Sequence, residues 1–358
     1  MDSRKRKAVR VLLIGPMPPP VGGSTVLFQQ LTRELPTVRD IALRVVSTSR
    51  GRRARRLGFQ AAIVVYKILR NICASDVVSF HSSRQGAVFF GPIVFVLSHA
   101  FRKPWIFRGF GDFESWHKSA GFLNKALFRF AALQADIVLF ETKSSVAYFR
   151  MITSHDVRWY SNSRPFASNA SQYNSRGDDQ LRFVYVGHVK PSKGVHELIQ
   201  AAQLFDGVTV DVYGPLLEGI DDADFRGKNA RYCGELEPSE VPNVLRRYDV
   251  LLFPTFYEGE GYPGVILEAF AQGLPVIATR WRSIPEIVTS QNGMLIEPRS
   301  VTELAAAMRQ FVASRESFQR LRDGTQYSAK LFSSESWTQY FVDMARELQE
   351  GAARKAGI

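Results

Sequence analysis

The sequence is poor in cysteine, in long apolar runs and, over its first half, in negative charge. Its two cysteines in 358 residues, Cys73 and Cys233, stand far apart. They offer neither a disulfide framework nor a metal-ligand spacing, so a reducing compartment, the cytoplasm, is the expectation. The most apolar stretch, Ala87 to Leu97, is interrupted by Gly91 and Pro92 and falls short of the roughly 20 residues that span a bilayer. The basic opening residues 1–7 are followed by an apolar run, Val9 to Ile14, that is too short for a secretory signal and reads as a strand. No G-x-G-x-x-G follows that strand, because Gly15 to Gly23 reads GPMPPPVGG. That sets aside a nicotinamide-dependent oxidoreductase.

The shortage of acid is one-sided. Through residue 165 there are 26 Lys and Arg against 9 Asp and Glu; after it there are 20 against 25. A dense cluster, Arg50, Arg52, Arg53, Arg55 and Arg56, precedes an apolar segment, Phe59 to Ile68. Such asymmetry implies an anionic partner for the first half. An anionic membrane surface, contacted reversibly, is the expectation. Nucleic acid is not expected, since no recognised binding module accompanies the charge.

What is present is a repeated grammar of strand, turn and helix. Val9 to Ile14 leads through a Pro/Gly turn into a helical pattern with Leu27, Leu31 and Leu35 on one face. Asp76 to Phe80, Pro104 to Phe107 and Ala135 to Phe140 read as further strands. The second half repeats the pattern at Leu181 to Val186, Val208 to Tyr213, Val250 to Phe253 and Pro275 to Ala278. Strands alternating with helices predict parallel sheets covered on both faces. Between the halves, Ser161 to Gln180 is rich in Ser, Asn, Arg and Asp and reads as a linker. The predicted fold is therefore α/β, two Rossmann-like doubly wound domains facing a cleft. They are assigned to residues 1–165 and 166–333. A last helix, 334–358, has Trp337, Phe341 and Met344 on one face and is expected to pack back on the first domain.

The chemistry concentrates between Pro254 and Pro298. A strand ends at Pro254, a glycine-rich loop holds Glu258 and Glu260, and a helix begins near Pro263. Backbone N–H groups at a helix start, with glycines permitting close approach, form an anion site suited to a nucleotide diphosphate. Glu260 and Glu268 can accept hydrogen bonds from sugar and ribose hydroxyls. The acidic loop Asp222-Ala-Asp224 mimics a metal-binding D-x-D but reads as a solvated turn.

The run Glu260-Gly-Tyr-Pro-Gly-Val-Ile-Leu-Glu268 resembles the E-x7-E motif of retaining glycosyltransferase family 4, of the GT-B fold. Gly273 to Thr279, Ile284 to Val288 and Asn292-Gly293 follow in that family's order, and Val186 to Gly194 is similar to its G-R-x4-K-G turn. The turn Pro20 to Ser24 is similar to the family's N-terminal glycine turn.

The resemblance implies a transferase taking sugar from a nucleotide-sugar donor to a glycan or lipid-linked acceptor with retention, in cell-surface polysaccharide or glycolipid synthesis. It implies no cofactor and no metal. By that likeness Lys193, Glu260 and, at a strand end, Asp112 are the catalytic candidates. The donor would be held by Gly22, Gly23, Gly187, His188, Lys193, Cys233, Leu236, Glu260, Gly261, Tyr262, Pro263, Gly264, Val265 and Glu268. Lys193 would neutralise the leaving diphosphate, Glu260 would hold the donor sugar, Glu268 the ribose, and the base would lie near Tyr232 to Leu236. His81, expected to face the cleft, and Arg108 are the acceptor-side candidates.

Two positions depart from the pattern. His188 stands where the family usually has Arg, with Lys190 or Arg164 as possible replacements for the lost charge. Gly109 or Phe110 stands where the family often has His. The first departure leaves room for a second reading, a catalytically impaired partner subunit that only binds nucleotide-sugar or glycan.

Overall fold

The computed structural model describes residues 8–49, 57–166, 180–205 and 207–355. The Arg50–Arg56 cluster and most of the Ser/Asn-rich run, 167–179, lie outside the described residues. The chain divides into two units. One comprises Met1–Asn162 with Glu335–Ile358, the other Ser163–Ser334.

In the first unit β1 (Val9–Gly15), α1 (Gly23–Glu34), β2 (Ile41–Ser47), α2 (Leu57–Ile72) and β3 (Val77–Ser82) come first. They are followed by α3 (Arg84–Ala100), β4 (Trp105–Gly109), α4 (Phe113–Ser119), α5 (Phe122–Phe130), β5 (Ile137–Phe140), α6 (Lys143–Ile152) and β6 (Asp156–Trp159). The six strands form one sheet in the order β2-β1-β3-β4-β5-β6, and the pairs are parallel. Every residue of β3, β4 and β5 is buried. Strands covered on both faces read as unbroken apolar runs for that reason.

Alternation along the strands sorts this core into two layers. Leu12 and Ile14 face α2, α3, α4, α5 and α6, where Ile68, Phe90, Phe113, Phe128 and Phe149 pack. Val11 and Leu13 face the other side, with Leu27, Phe28 and Leu31 of α1. That second face is closed by α12 (Ser334–Lys355), the last of the twelve helices introduced here. Trp337, Phe341 and Met344 are buried there, as their helical spacing predicts. Thr338 donates to Glu34 at 2.8 Å, and Arg158 of β6 donates to Glu347 at 2.7 Å.

The second unit holds β7 (Phe183–Val186), α7 (Val195–Gln203), β8 (Val210–Tyr213), β9 (Ala230–Tyr232), α8 (Val241–Leu245) and β10 (Val250–Phe253). Then come α9 (Gly264–Ala271), β11 (Val276–Thr279), β12 (Gly293–Ile296), α10 (Val301–Ala313) and α11 (Arg315–Leu331). The sheet order is β12-β11-β10-β7-β8-β9, again with parallel pairs. The chain steps from β7 to β8 on one side and later places β10 on the other. The carboxyl ends of β7 and β10 therefore flank a topological switch point, where loops diverge and leave a crevice.

Each unit is a doubly wound α/β domain, the fold class expected from the strand–helix alternation. Among the described residues, no helix is long and apolar enough to cross a membrane.

Candidate active site

The switch point of the second unit is where the sequence placed its chemistry. The turn after β7 runs from Gly187 to Gly194, and its shape depends on glycine at two places. Gly194 has φ 76°, and a Cβ there would strike the carbonyl of Pro254 at the end of β10. Only glycine combines that left-handed backbone with so close an approach. The Phe256 N–H donates to the Ser192 carbonyl at 2.9 Å, which ties the turn to the loop leaving β10. At the other end of the turn, the buried Tyr185 hydroxyl donates to the His188 carbonyl at 2.7 Å. Burial, and then Glu260, push that phenol well above its ordinary value, so it remains a donor.

Bringing the two loops together brings their charges together. Lys193 Nζ donates to Glu260 Oε2 at 2.6 Å, and Thr255 Oγ1 donates to the same oxygen at 2.8 Å. Both ionic side chains are largely buried. Thr279 at the end of β11 donates to the Thr255 carbonyl and fixes that loop from the far side. The Lys193 ammonium also lies 4.8 Å from the centre of the Tyr257 ring, and Lys190, 4.4 Å from the same ring, pairs with Glu218 at 3.0 Å. Burial first, then Lys193 and Lys190, hold the His188 imidazole below its ordinary value. It is neutral at pH 7.

The second glutamate has a cation of its own. Arg164 Nε donates to Glu268 Oε1 at 2.5 Å, and Arg164 Nη1 donates to the Ser163 carbonyl at 2.9 Å. The Arg164 backbone is clamped, its N–H on the Phe332 carbonyl and its carbonyl on the Ser334 N–H. The guanidinium lies directly over Gly264, the first residue of α9, where any side chain would collide with it. An arginine against the positive end of a helix is unfavourable on its own. Glu268 offsets it. The result is a concentration of donors, Lys193, Arg164 and the first N–H groups of α9, with just enough carboxylate to balance them. The helix start itself supplies unsatisfied N–H groups.

The other expected donor-side residues fall around this point or in the first unit. Gly261 to Pro263 form the loop into α9, and Val265 is in its first turn. The Tyr262 hydroxyl donates to Glu286 at 2.5 Å. Cys233 and Leu236 follow β9, the Cys233 N–H on the Val212 carbonyl at 2.8 Å. Gly22 caps α1 and Gly23 begins it, with open space where a side chain would stand. Asp222 and Asp224 sit in an exposed turn in which Asp224 accepts from the Asp221 N–H. Among the described residues no three His, Cys, Asp or Glu converge as a metal site requires.

Three candidates of the first unit are buried. His81 was expected to face the cleft from the end of β3. It is instead fully buried, with Phe28, Phe110 and Phe341 around its ring and Ser79 Oγ 2.8 Å from Nε2. Burial, then Arg108, drives its pKa well down. Arg108 is also buried, stacked 4.2 Å from the centre of the Tyr160 ring and donating to the Ser161 carbonyl at 3.3 Å. Asp112 is buried and caps α4, accepting from the Ser115 N–H at 3.0 Å. For His81 and Arg108 the aromatic residues flanking them close over the strand ends and make the polar groups part of the core.

Conversely, sequence reasoning passed over Thr255, Tyr257 and Glu286. Each lies within or beside the segment that carried the motif, but nothing in its residue type set it apart.

Residues 180–314 match the family model described as glycosyl transferases group 1. The O-antigen chain mannosyltransferase B of Escherichia coli is 32% identical over 134 residues, 34% of this chain and 34% of that protein. The D-inositol 3-phosphate glycosyltransferase of Corynebacterium glutamicum is 29% identical over 171 residues, 42% of this chain and 39% of that protein. The matches thus span about a third of the length of these curated relatives. In fold the likeness is wider. A sucrose-phosphate synthase from Thermosynechococcus elongatus superimposes with a TM-score of 0.74 at 16% identity, covering 96% of this chain and 100% of that one. HepE of Anabaena, solved with UDP, gives 0.73 at 17% identity, over 95% and 100%. The chain therefore has the two-domain GT-B fold, and its sequence likeness to glycosyltransferases lies in the unit that holds the paired glutamates.

Proposed function

We propose that the chain is a retaining glycosyltransferase. It transfers a sugar from a nucleotide-diphosphate donor to a glycan or lipid-linked acceptor, in the synthesis of a cell-surface polysaccharide or glycolipid. The observation that carries this reading is the Lys193–Glu260 pair at the β7/β10 switch point, inside the segment that matches group 1 glycosyl transferases. In transfer, the bond from the anomeric carbon to the diphosphate oxygen breaks and one to the acceptor hydroxyl oxygen forms, while the hydroxyl proton passes to the departing diphosphate. Charge grows on the diphosphate. Lys193 is held in place by Tyr257 and the loop from β10, and it exchanges Glu260 for the growing charge. Arg164 and the start of α9 supply further positive potential. These groups handle the leaving-group charge without a divalent ion.

Glu260 is released from Lys193 as the diphosphate takes the ammonium, and it accepts from the donor sugar's hydroxyls. Glu268 is oriented by Arg164 and accepts from the ribose. The base lies along Tyr232 to Leu236, past the end of β9. The site works in the cytoplasm, at or near the inner face of the membrane where a lipid-linked acceptor would be found.

Thermal shift against UDP-, GDP-, ADP- and CDP-sugars tests the donor, since a ligand of the folded state raises Tm by mass action. A shift with one base class, followed by sugar release or transfer, is the expected result. No shift with any of them would overturn the reading. A second reading, a partner subunit that binds donor without turning it over, is favoured by one residue, His188 in place of an arginine. A Tm shift without hydrolysis or transfer would select it.

A further inference from the structure

The carboxyl ends of β8 and β9 carry a polar group that the transfer chemistry does not use. Asp211 of β8 stands opposite Arg231 of β9 in the parallel register. Arg231 donates twice to the Asp211 carboxylate, at 3.0 and 2.8 Å. Two residues further along, the alternation of a strand puts Tyr213 and Cys233 on that same face. Both are half-buried, and Tyr248, which follows α8, is buried beside them.

The hydrogens of this group run in one direction. Tyr248 donates its single hydroxyl hydrogen to Asp211 Oδ2 at 2.7 Å. The Tyr213 and Tyr248 hydroxyl oxygens are 3.0 Å apart, so in that bond Tyr213 is the donor. Its hydrogen is committed, and what remains free on its oxygen is a lone pair. Burial first raises both phenols above their ordinary value, so neither ionises near pH 7. The neighbouring polar side chains repeat the pattern. Tyr232 donates to the Gly214 carbonyl at 3.1 Å, and the Cys233 thiol donates to the Arg231 carbonyl at 3.5 Å. Glu235, next in the segment after β9, has a carboxylate that only accepts. These side chains can take hydrogen bonds from a ligand and have no hydrogen left to give.

We propose, on the donor-site reading given above, that this acceptor-only wall selects the nucleotide by its base. It takes a base whose ring nitrogen carries a hydrogen, uracil or guanine, and disfavours cytosine and adenine. Uracil N3 and guanine N1 are N–H donors, whereas cytosine N3 and adenine N1 are bare lone pairs. A bare ring nitrogen against Tyr213 or Cys233 sets lone pair against lone pair and leaves a desolvated polar atom unpaired. An isolated hydroxyl would rotate to suit either kind of base. Tyr213 is denied that freedom, because turning its hydrogen away breaks a chain anchored on Asp211 and Arg231.

Calorimetry of the full chain with UDP, GDP, CDP and ADP tests this. UDP or GDP should bind on the order of 10- to 100-fold more tightly than CDP and ADP, the usual loss for one unpaired buried group. Tyr248→Phe releases the Tyr213 hydrogen and should narrow that ratio about tenfold, mainly by improving CDP or ADP. Tyr213→Phe should narrow it from the other side, by weakening UDP or GDP. A purely structural role for these tyrosines would lower all four affinities together and leave the ratio unchanged. Tm on the same preparations shows that each variant is folded; should Tyr248→Phe not fold, Tyr213→Phe at its half-buried position decides. CDP or ADP bound as tightly as UDP and GDP would overturn the base selection while leaving the donor site standing. A ratio unchanged in the folded variants would overturn it too. Binding of none of the four would overturn the donor-site reading and the base selection with it.

Discussion

In the second unit, the loops leaving β7 and β10 bring Lys193, Thr255 and Glu260 into one hydrogen-bonded group. In the first unit the end of β3, at the corresponding switch point between β1 and β3, holds a neutral His81 enclosed by Phe28, Phe110 and Phe341. The two sheets have the same number of strands and the same kind of crossover. What differs is the side chain beside each strand end. In the second unit Gly194 lets the turn after β7 pack directly on the Pro254 carbonyl at the end of β10, so Lys193 reaches Glu260 across the two loops. In the first unit rings surround His81, Arg108 stacks on Tyr160, and Asp112 caps α4. Architecture sets where a site can be; the residues at the strand ends decide whether one is open there.

The sharpest way to break that comparison is at Lys193. Lys193→Ala removes an ammonium from a glycine-rich turn and little core packing. Turnover should fall about 100- to 1000-fold, the usual loss for one fixed donor on developing charge, and Tm should fall as well, because Glu260 loses its buried partner. Near-normal turnover in a folded variant would remove the second unit's claim to the chemistry.

A smaller effect is expected at Arg164. Arg164→Ala leaves Glu268 without its charged partner and removes a cation from the start of α9. Losing a charge-assisted contact of this type costs about 1.5–3 kcal/mol, on the order of 10- to 100-fold in nucleotide affinity. Glu268→Gln should weaken the nucleotide as well, and Glu260→Gln should act on turnover more than on affinity. Equal nucleoside diphosphate affinity in wild type and Glu268→Gln, by calorimetry, would refute the ribose assignment.

In the first unit the contrast predicts stability effects. Asp112→Ala removes the cap of α4, worth about 1 kcal/mol, or a Tm decrease of about 2–4 °C. Turnover corrected for folded fraction should be unaffected. A large loss of turnover in the folded variant would restore Asp112 to the site.

Much of this was legible in the sequence. The parallel sheets followed from alternating apolar runs and helical patterns, and the glycine turns with paired glutamates marked the second unit's strand ends before any coordinates. The packing of Trp337, Phe341 and Met344 followed from helical spacing. What was not legible is burial. His81, Arg108 and Asp112 are polar residues at strand ends, the position where ligands bind, and their residue type says nothing of what covers them. The rings around His81 come from three separated segments, at residues 28, 110 and 341. Thr255 and Tyr257 were missed for the converse reason. Their roles, holding Glu260 and covering Lys193, arise only when the loops from β7 and β10 meet. The Arg164–Glu268 contact spans 104 residues, and only the fold brings it about.

The smallest expected effect tests how the second unit replaces the arginine that its turn lacks. In the free protein His188 is held below its ordinary value by burial and by Lys193 and Lys190, and it is neutral. A diphosphate beside it favours the imidazolium and raises its pKa on binding. Donor binding then takes up a proton. Affinity should be greatest below the free-protein pKa and should fall as pH rises through the donor-bound one. A sugar diphosphate diester loses no proton of its own in that range, so the slope belongs to the protein. His188→Arg carries its charge at every pH and should flatten the profile while keeping or improving affinity, a gain of a few fold at the alkaline end. Affinity for the donor, measured from about pH 5.5 to 8.5 around the ordinary imidazole value, separates the cases. Parallel profiles for wild type and His188→Arg would mean that Lys190, Lys193 and Arg164 already supply the charge and that His188 only shapes the turn.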